Sequence, residues 1–179
     1  MSPLDRLRAS ADADEPVPGI DLTGVDASFA SLDGVRAESL DAGDLDARGS
    51  SWRNAFLDVP GLAGACFEGA CLDGSSMLDP ELEGADFTGA SLRHVVWSSP
   101  LATGARFDEA DLTGAVLDGG AFRNASFRGA CLAGASLMQC GFEGCDLTDA
   151  DLRGANLDRT RFDGAILTGV RLDEGVRLR

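Results

Sequence analysis

Thirty acidic side chains and one histidine, His94, are the groups in this 179-residue chain that could carry acid–base chemistry; five cysteines could serve as nucleophiles or metal ligands. Each set lacks what its chemistry needs. No nucleophile pattern surrounds His94, which reads as a solvated turn residue. Carboxylates acting as an acid and a base need a pocket that separates their pKa values. The cysteine count is odd and no CxxC occurs, so neither a disulfide framework nor a zinc site is indicated. The glycines do not follow a strand and open a helix, as a phosphate-binding loop requires. No catalytic residue, metal site or cofactor is expected, and the chain reads as a non-enzyme.

The elements that must position these groups are written in a period of five. From Ile20 to Glu174 there are 31 pentapeptides without an insertion, and 23 carry Leu or Phe at the centre, from Leu22 and Leu32 through Phe67, Leu112 and Phe142 to Leu172. The exceptions are Ala27, Ala37, Ala42, Ala47, Trp52, Met77, Trp97 and Ala102. Fixed-period self-similarity marks a solenoid. A second interval, of 20 residues, joins Pro60, Pro80 and Pro100, then Phe67, Phe87, Phe107 and Phe127, then Phe122, Phe142 and Phe162. Four pentapeptides therefore make one coil, and stacked coils at one strand spacing give a rod of roughly 37 Å. A period of six with a histidine would have pointed to the hexapeptide helices of acyltransferases; five does not.

Each pentapeptide position has a physical reason. The centre points inward, and so does the residue two before it, which is small: Ala65, Ala85, Ala105, Ala125 and Ala150 among others. Where the centre shrinks to Ala, the partner grows, as Val25, Val35, Leu40 and Leu45 do, which conserves core volume. Over 20–49 the two inward columns could equally be exchanged. Cys140 and Cys145 take the small inward position, whereas Cys66, Cys71 and Cys131 should point outward. The position two after the centre is Gly in 17 repeats, because a corner every five residues requires positive φ.

Residues 1–19 stand outside the repeat, as a disordered tail or a short helix capping the first coil; 20–174 form the repeat; 175–179 are a tail with no encoded capping helix. There is no 18-residue apolar run and no signal-peptide pattern, so a cytoplasmic protein without membrane contact is expected.

The formal net charge is −15, and all of it lies in residues 1–120, with 22 acidic and 7 basic side chains; residues 121–179 hold 8 of each. Folded onto four faces, the first presents Asp21, Asp41, Glu81 and Glu83 outward. The next presents Asp26, Asp46, Glu68 and Asp86, relieved by Arg48. Such a surface repels nucleic acid and attracts a basic protein surface, or serves solubility alone. The fourth face places Phe56, Val96 and Val116 outward, with Leu78 and Met138 a column away. That stripe is either a partner site or is tucked in by a bulge around HVVWSSPL, residues 94–101.

ADFTG (85–89), ADLTG (110–114), CDLTD (145–149), ADLRG (150–154) and ANLDR (155–159) follow the A(D/N)LXX pattern. The chain thus resembles the pentapeptide-repeat family over about 155 residues. The resemblance implies an all-β fold, a right-handed quadrilateral β-helix of about eight coils. For function it implies less. The best understood members of the family are quinolone-resistance proteins, acidic rods that imitate DNA on gyrase or topoisomerase IV, and others are immunity factors against a gyrase toxin. The expected partner is then DNA gyrase or topoisomerase IV, met by Asp21, Asp26, Asp41, Asp46, Glu68, Glu81, Glu83 and Asp86. A homodimer through a coil end, around Val170, Leu172, Val176 and Leu178, is expected. The alternative is an interaction scaffold or regulatory partner that uses Phe56, Leu78, Val96 and Val116.

Overall fold

The computed structural model describes residues 1–13, 15–58 and 61–178. Pro60, the first proline of the 20-residue series, lies outside them. Helix α1 covers Pro3–Ala13 and is followed by the short strands β1 (Val17–Pro18), β2 (Arg36–Glu38), β3 (Phe56–Asp58), β4 (Ser76–Leu78) and β5 (Val96–Ser98). The five strands form one parallel sheet in chain order. Its register sets Val17 beside Ala37, Arg36 beside Phe56 and Ser76 beside Val96. Single parallel bridges carry the same 20-residue offset through the other faces, from Asp21 with Asp41 to Asp151 with Arg171. Among the described residues the chain is therefore a β-helix-like stack whose paired positions lie 20 residues apart.

The backbone bonding repeats with the sequence. Leu22 N–H donates to Asp41 O at 2.7 Å, Asp41 N–H donates back to Ile20 O at 3.0 Å, and Gly24 N–H donates to Gly43 O at 2.9 Å. Val25 N–H closes its corner on Leu22 O at 2.9 Å, as Ala30 N–H does on Ala27 O at 3.0 Å. The corner residue two after the centre has positive φ at every described position from Gly24 to Gly169, whatever its side chain. Twelve such residues are not glycine, among them Phe29, His94, Glu109, Gln139 and Arg159. The corner is thus imposed by the stack, and glycine is only its least strained occupant. Room for these side chains comes from the next coil. A Cβ built on Gly64, Gly74, Gly114 or Gly144 would come within 2.6 Å of the side chain of Asp44, Asn54, His94 or Asn124.

The core is continuous. Apart from the half-buried Val25, both inward columns are buried among the described residues from Ile20 to Leu152, and Ala27, Ala37, Ala42 and Ala47 are as hidden as the Leu and Phe centres of later coils. The register of 20–49 is that of the remainder, and the larger Val35, Leu40 and Leu45 fill the space those alanines leave. Phe67, Phe87, Phe107 and Phe127 stack ring on ring at 5.0, 5.1 and 4.7 Å, one coil apart, and Phe122, Phe142 and Phe162 form a second column. The two buried tryptophans differ. Trp52 donates its indole N–H to Ser50 Oγ at 2.7 Å, whereas the indole N–H of Trp97 and the hydroxyl of Ser75 find no partner among the described residues.

The two ends are unlike. At the first coil, Ser2 and Asp5 form a capping box: Ser2 Oγ accepts Asp5 N–H at 3.1 Å, and Asp5 accepts Ser2 N–H at 3.1 Å. Helix α1 buries Leu7 against the core, and Ser10 Oγ links Leu7 O (2.6 Å) to the N–H of Arg36 in β2 (2.8 Å). At the other end Leu157, Leu167, Val170 and Leu172 are half-buried, and Leu157, Phe162, Val176 and Leu178 line a recess of about 330 Å³.

Candidate functional site

Four of the eight acidic residues singled out in the sequence are anchored by their own face. Asp21 Oδ1 accepts the N–H of Thr23 at 2.9 Å, and Asp26 Oδ1 accepts both N–H (2.9 Å) and Oγ–H (2.6 Å) of Ser28. Asp86 Oδ1 binds Thr88 in the same way, and Asp46 holds Arg48 through both carboxylate oxygens. An aspartate just before the centre reaches the amide just after it, because its short side chain spans that turn. The Thr23 and Ser28 hydrogen bonds hold the carboxyls of Asp21 and Asp26 below the ordinary range, and the Arg48 guanidinium does so for Asp46. These groups are fixed anions. Asp21 stands beside Asp41, and Asp26 beside Asp46, one strand spacing apart. Asp41 reaches Gly43 N–H only at 3.4 Å.

Glu68, Glu81 and Glu83 are exposed. Glu81 and Glu83 flank a recess of about 320 Å³ whose other walls are Ala63, Leu101 and Thr103. Asp86 departs from the sequence expectation. It is half-buried, bonded to Thr88, and 3.3 Å from the Arg106 guanidinium one coil on. Reversing its charge would break a turn as well as alter the surface. Two of the expected acids therefore already face arginine, Asp46 through Arg48 and Asp86 through Arg106.

A second use of aspartate escaped the sequence reading. Asp33 accepts Ser51 Oγ–H (2.5 Å) and Arg53 N–H (2.9 Å) from the next coil. Asp73 takes the same bonds from Ser91 and Arg93, Asp108 from Ser126 and Arg128, and Asp118 from Ser136 and Met138. Each is an inter-coil staple, and its signal is an aspartate just after the centre with a serine 18 residues later.

On the fourth face the strands stay in register through 94–101, and no bulge tucks the apolar residues in. Val96 is 49 % exposed, Leu78 41 % and Val116 36 %. Phe56 is half-buried under the Arg36 guanidinium, 5.6 Å from the ring centroid. Met138 is half-buried as well.

The potential nucleophiles sit as structural groups. Cys140 and Cys145 are buried and donate to the carbonyls of Leu117 (3.1 Å) and Phe122 (2.7 Å), and burial pushes both thiols up to about 12. Thr160 Oγ makes the equivalent bond to Leu137 O at 2.7 Å. Cys66, Cys71 and Cys131 are half-buried and free. His94 is exposed at its corner with its ring over Gly114. Among the described residues no group of three or more His, Cys, Asp and Glu could hold a metal, and no helix is long and apolar enough to cross a membrane.

The family model described as pentapeptide repeats (8 copies) matches residues 105–144 and 145–174. No curated protein matches this chain. Among solved structures it is similar to HetL, a pentapeptide repeat protein involved in heterocyst differentiation regulation from Nostoc sp. strain PCC 7120. That pair has 25 % identity over 90 % of each chain and a TM-score of 0.31. It is also similar to QnrB1, a plasmid-mediated fluoroquinolone resistance protein, with 17 % identity over 89 % of this chain and 94 % of that one and a TM-score of 0.48. A pentapeptide repeat protein of the Arabidopsis thaliana thylakoid lumen has 30 % identity over 57 % of this chain and 69 % of its own, with a TM-score of 0.41. With the family model matched over 105–174 and parallel bridges of the same 20-residue offset running back among the described residues to Asp21, the chain belongs to the pentapeptide-repeat family.

Proposed function

We propose that this protein is a non-enzymatic acidic rod that occupies the DNA-binding surface of a bacterial type II topoisomerase, gyrase or topoisomerase IV, and so protects it from a quinolone or a toxin. The observation that carries the reading is the pair of anion columns, Asp21 with Asp41 and Asp26 with Asp46, in which Asp21, Asp26 and Asp46 are tied to their own turns. A DNA mimic needs negative charge at fixed spacing, and a carboxylate tied to its own turn loses little freedom on binding. Glu68, Glu81 and Glu83 extend the anionic surface along the rod, and Asp86 contributes what Arg106 leaves. In this reading 1–19 is a cap, 20–174 a right-handed quadrilateral solenoid of about eight coils, and 175–179 a tail. The protein works in the cytoplasm and pairs into a homodimer through the apolar end formed by the half-buried Val170, Leu172 and Leu178 and the exposed Val176.

The test is supercoiling by purified gyrase, with and without a quinolone. The native protein should change supercoiling or quinolone sensitivity. The Glu81→Arg/Glu83→Arg variant, which leaves Asp86 and its turn intact, should lose that effect and keep its fold. No effect of the native protein on supercoiling, drug sensitivity or DNA binding by the enzyme would overturn the reading. A second reading, an interaction scaffold, is favoured by the exposure of Leu78, Val96 and Val116 on one flat face. It would gain if Val96→Ser/Val116→Ser abolished a partner interaction that the glutamate reversal spared.

A further inference from the structure

Phe29 combines two costs. Its φ is +56°, in the left-handed region that side chains other than glycine, Asn and Asp rarely adopt. Its ring is 82 % exposed, although a phenyl group gains most by burial. The other described non-glycine corners hold polar side chains: Ser39, Asp44, Asn54, Asp79, His94, Ser99, Glu109, Asn124, Gln139, Asp149 and Arg159. Among the described corners Phe29 is the one aromatic, and the others hold glycine or a polar group. Strain kept at an exposed position is a pointer to function.

The surroundings say what the ring could meet. It lies over Gly49, where a Cβ would come within 2.7 Å of it, and the same corner continues as Gly69 and Gly89, with nothing within 4 Å of a Cβ at either. No side chain of that corner stands between the ring and an approaching surface for three coils. On the adjoining face run Asp26 and Asp46, tied to Ser28 and Arg48. An exposed aromatic beside fixed anions fits a protein surface that is cationic around an apolar recess. A nucleic acid would be repelled by the same carboxylates.

We propose that Phe29 is the apolar anchor by which the acidic faces lock onto their protein partner. Charge brings the two surfaces together, and the ring, already held out by its corner, fills a recess on the other side. This rests on the reading that the partner is a type II topoisomerase, and the experiment separates the two. Purified gyrase is titrated into labelled native protein, Phe29→Gly, Phe29→Tyr and Glu81→Arg/Glu83→Arg, and each variant is also melted. Phe29→Gly should melt about 2–4 °C higher, because the strained corner is relieved, yet bind roughly tenfold or more weakly. Phe29→Tyr should bind as the native protein does. Native affinity in Phe29→Gly, with affinity lost in the glutamate reversal, overturns the anchor and leaves the topoisomerase reading standing. A lower melting temperature for Phe29→Gly would make the ring a packing group and also overturns it. Absence of native binding overturns both.

Discussion

Asp151 accepts Arg153 through the backbone N–H (3.2 Å), Nε (2.9 Å) and Nη2 (2.7 Å), and Arg171 lies 3.3 Å away on the next coil. It is 3 % exposed, and the Arg153 guanidinium, aided by Arg171, holds its carboxyl down to about 2. The folded state therefore binds this proton less readily than the unfolded chain, in which an aspartate titrates near 3.9. Its contribution is complete above about pH 4 and is lost as pH falls toward 2. Asp21, Asp26, Asp46 and Asp146 are lowered too, so they act with the same sign. Denaturant melts of the native protein and Asp151→Asn should differ by a constant amount above pH 4 and converge below it. A gap that widened on acidification would contradict this placement. At this scale the sequence was only half readable. That Cys140 and Cys145 point inward followed from position alone. That Asp86 closes a turn and that Asp33 staples one coil to the next did not, because those bonds depend on which residue lies alongside, 18 or 20 positions away.

Helix α1 and the corner turns are the elements that set the limits of the stack. The first coil has an unpaired edge, and α1 covers it with Leu7 and the Ser10 bridge to β2. Leu7→Ala should cost about 2–5 kcal/mol by the cavity it leaves, read as a lower denaturant midpoint. An unchanged midpoint would mean that α1 contributes nothing to the stack. The helix was legible as a possibility from Ser2, Pro3 and Asp5, but its docking was not, because Ser10 carries no sequence mark of an acceptor for β2. The coil repeat was legible throughout, since its two inward columns obey volume exchange even where Ala27 and Ala47 replace leucine. The corners were legible where glycine occupies them and at His94, read as a turn residue, and obscure at Phe29 and Arg159. There the stack imposes a conformation that local propensity opposes.

Across the whole molecule, charge and shape are separate statements. The acidic excess belongs to residues 1–120, and inter-coil pairs such as Arg106 with Asp86 and Arg128 with Asp146 neutralise part of the remainder. What stays uncompensated among the described residues is Asp21, Asp41 and Asp26, whose neighbour Asp46 is held by Arg48, and the glutamates further along. A basic surface should feel this as a one-ended anionic rod, and the attraction should fade once salt screens exposed charges beyond about 10 Å, near 0.1 M. The most direct test of the central claim is a chase. Fluorescently labelled protein is bound to purified gyrase at low salt, and linear duplex DNA is added while anisotropy is followed. If the rod takes the place of DNA, duplex should release it fully, with a midpoint that moves in proportion to the protein's own concentration. Protein and duplex bound to the enzyme together, with anisotropy unchanged at saturating DNA, would contradict the account.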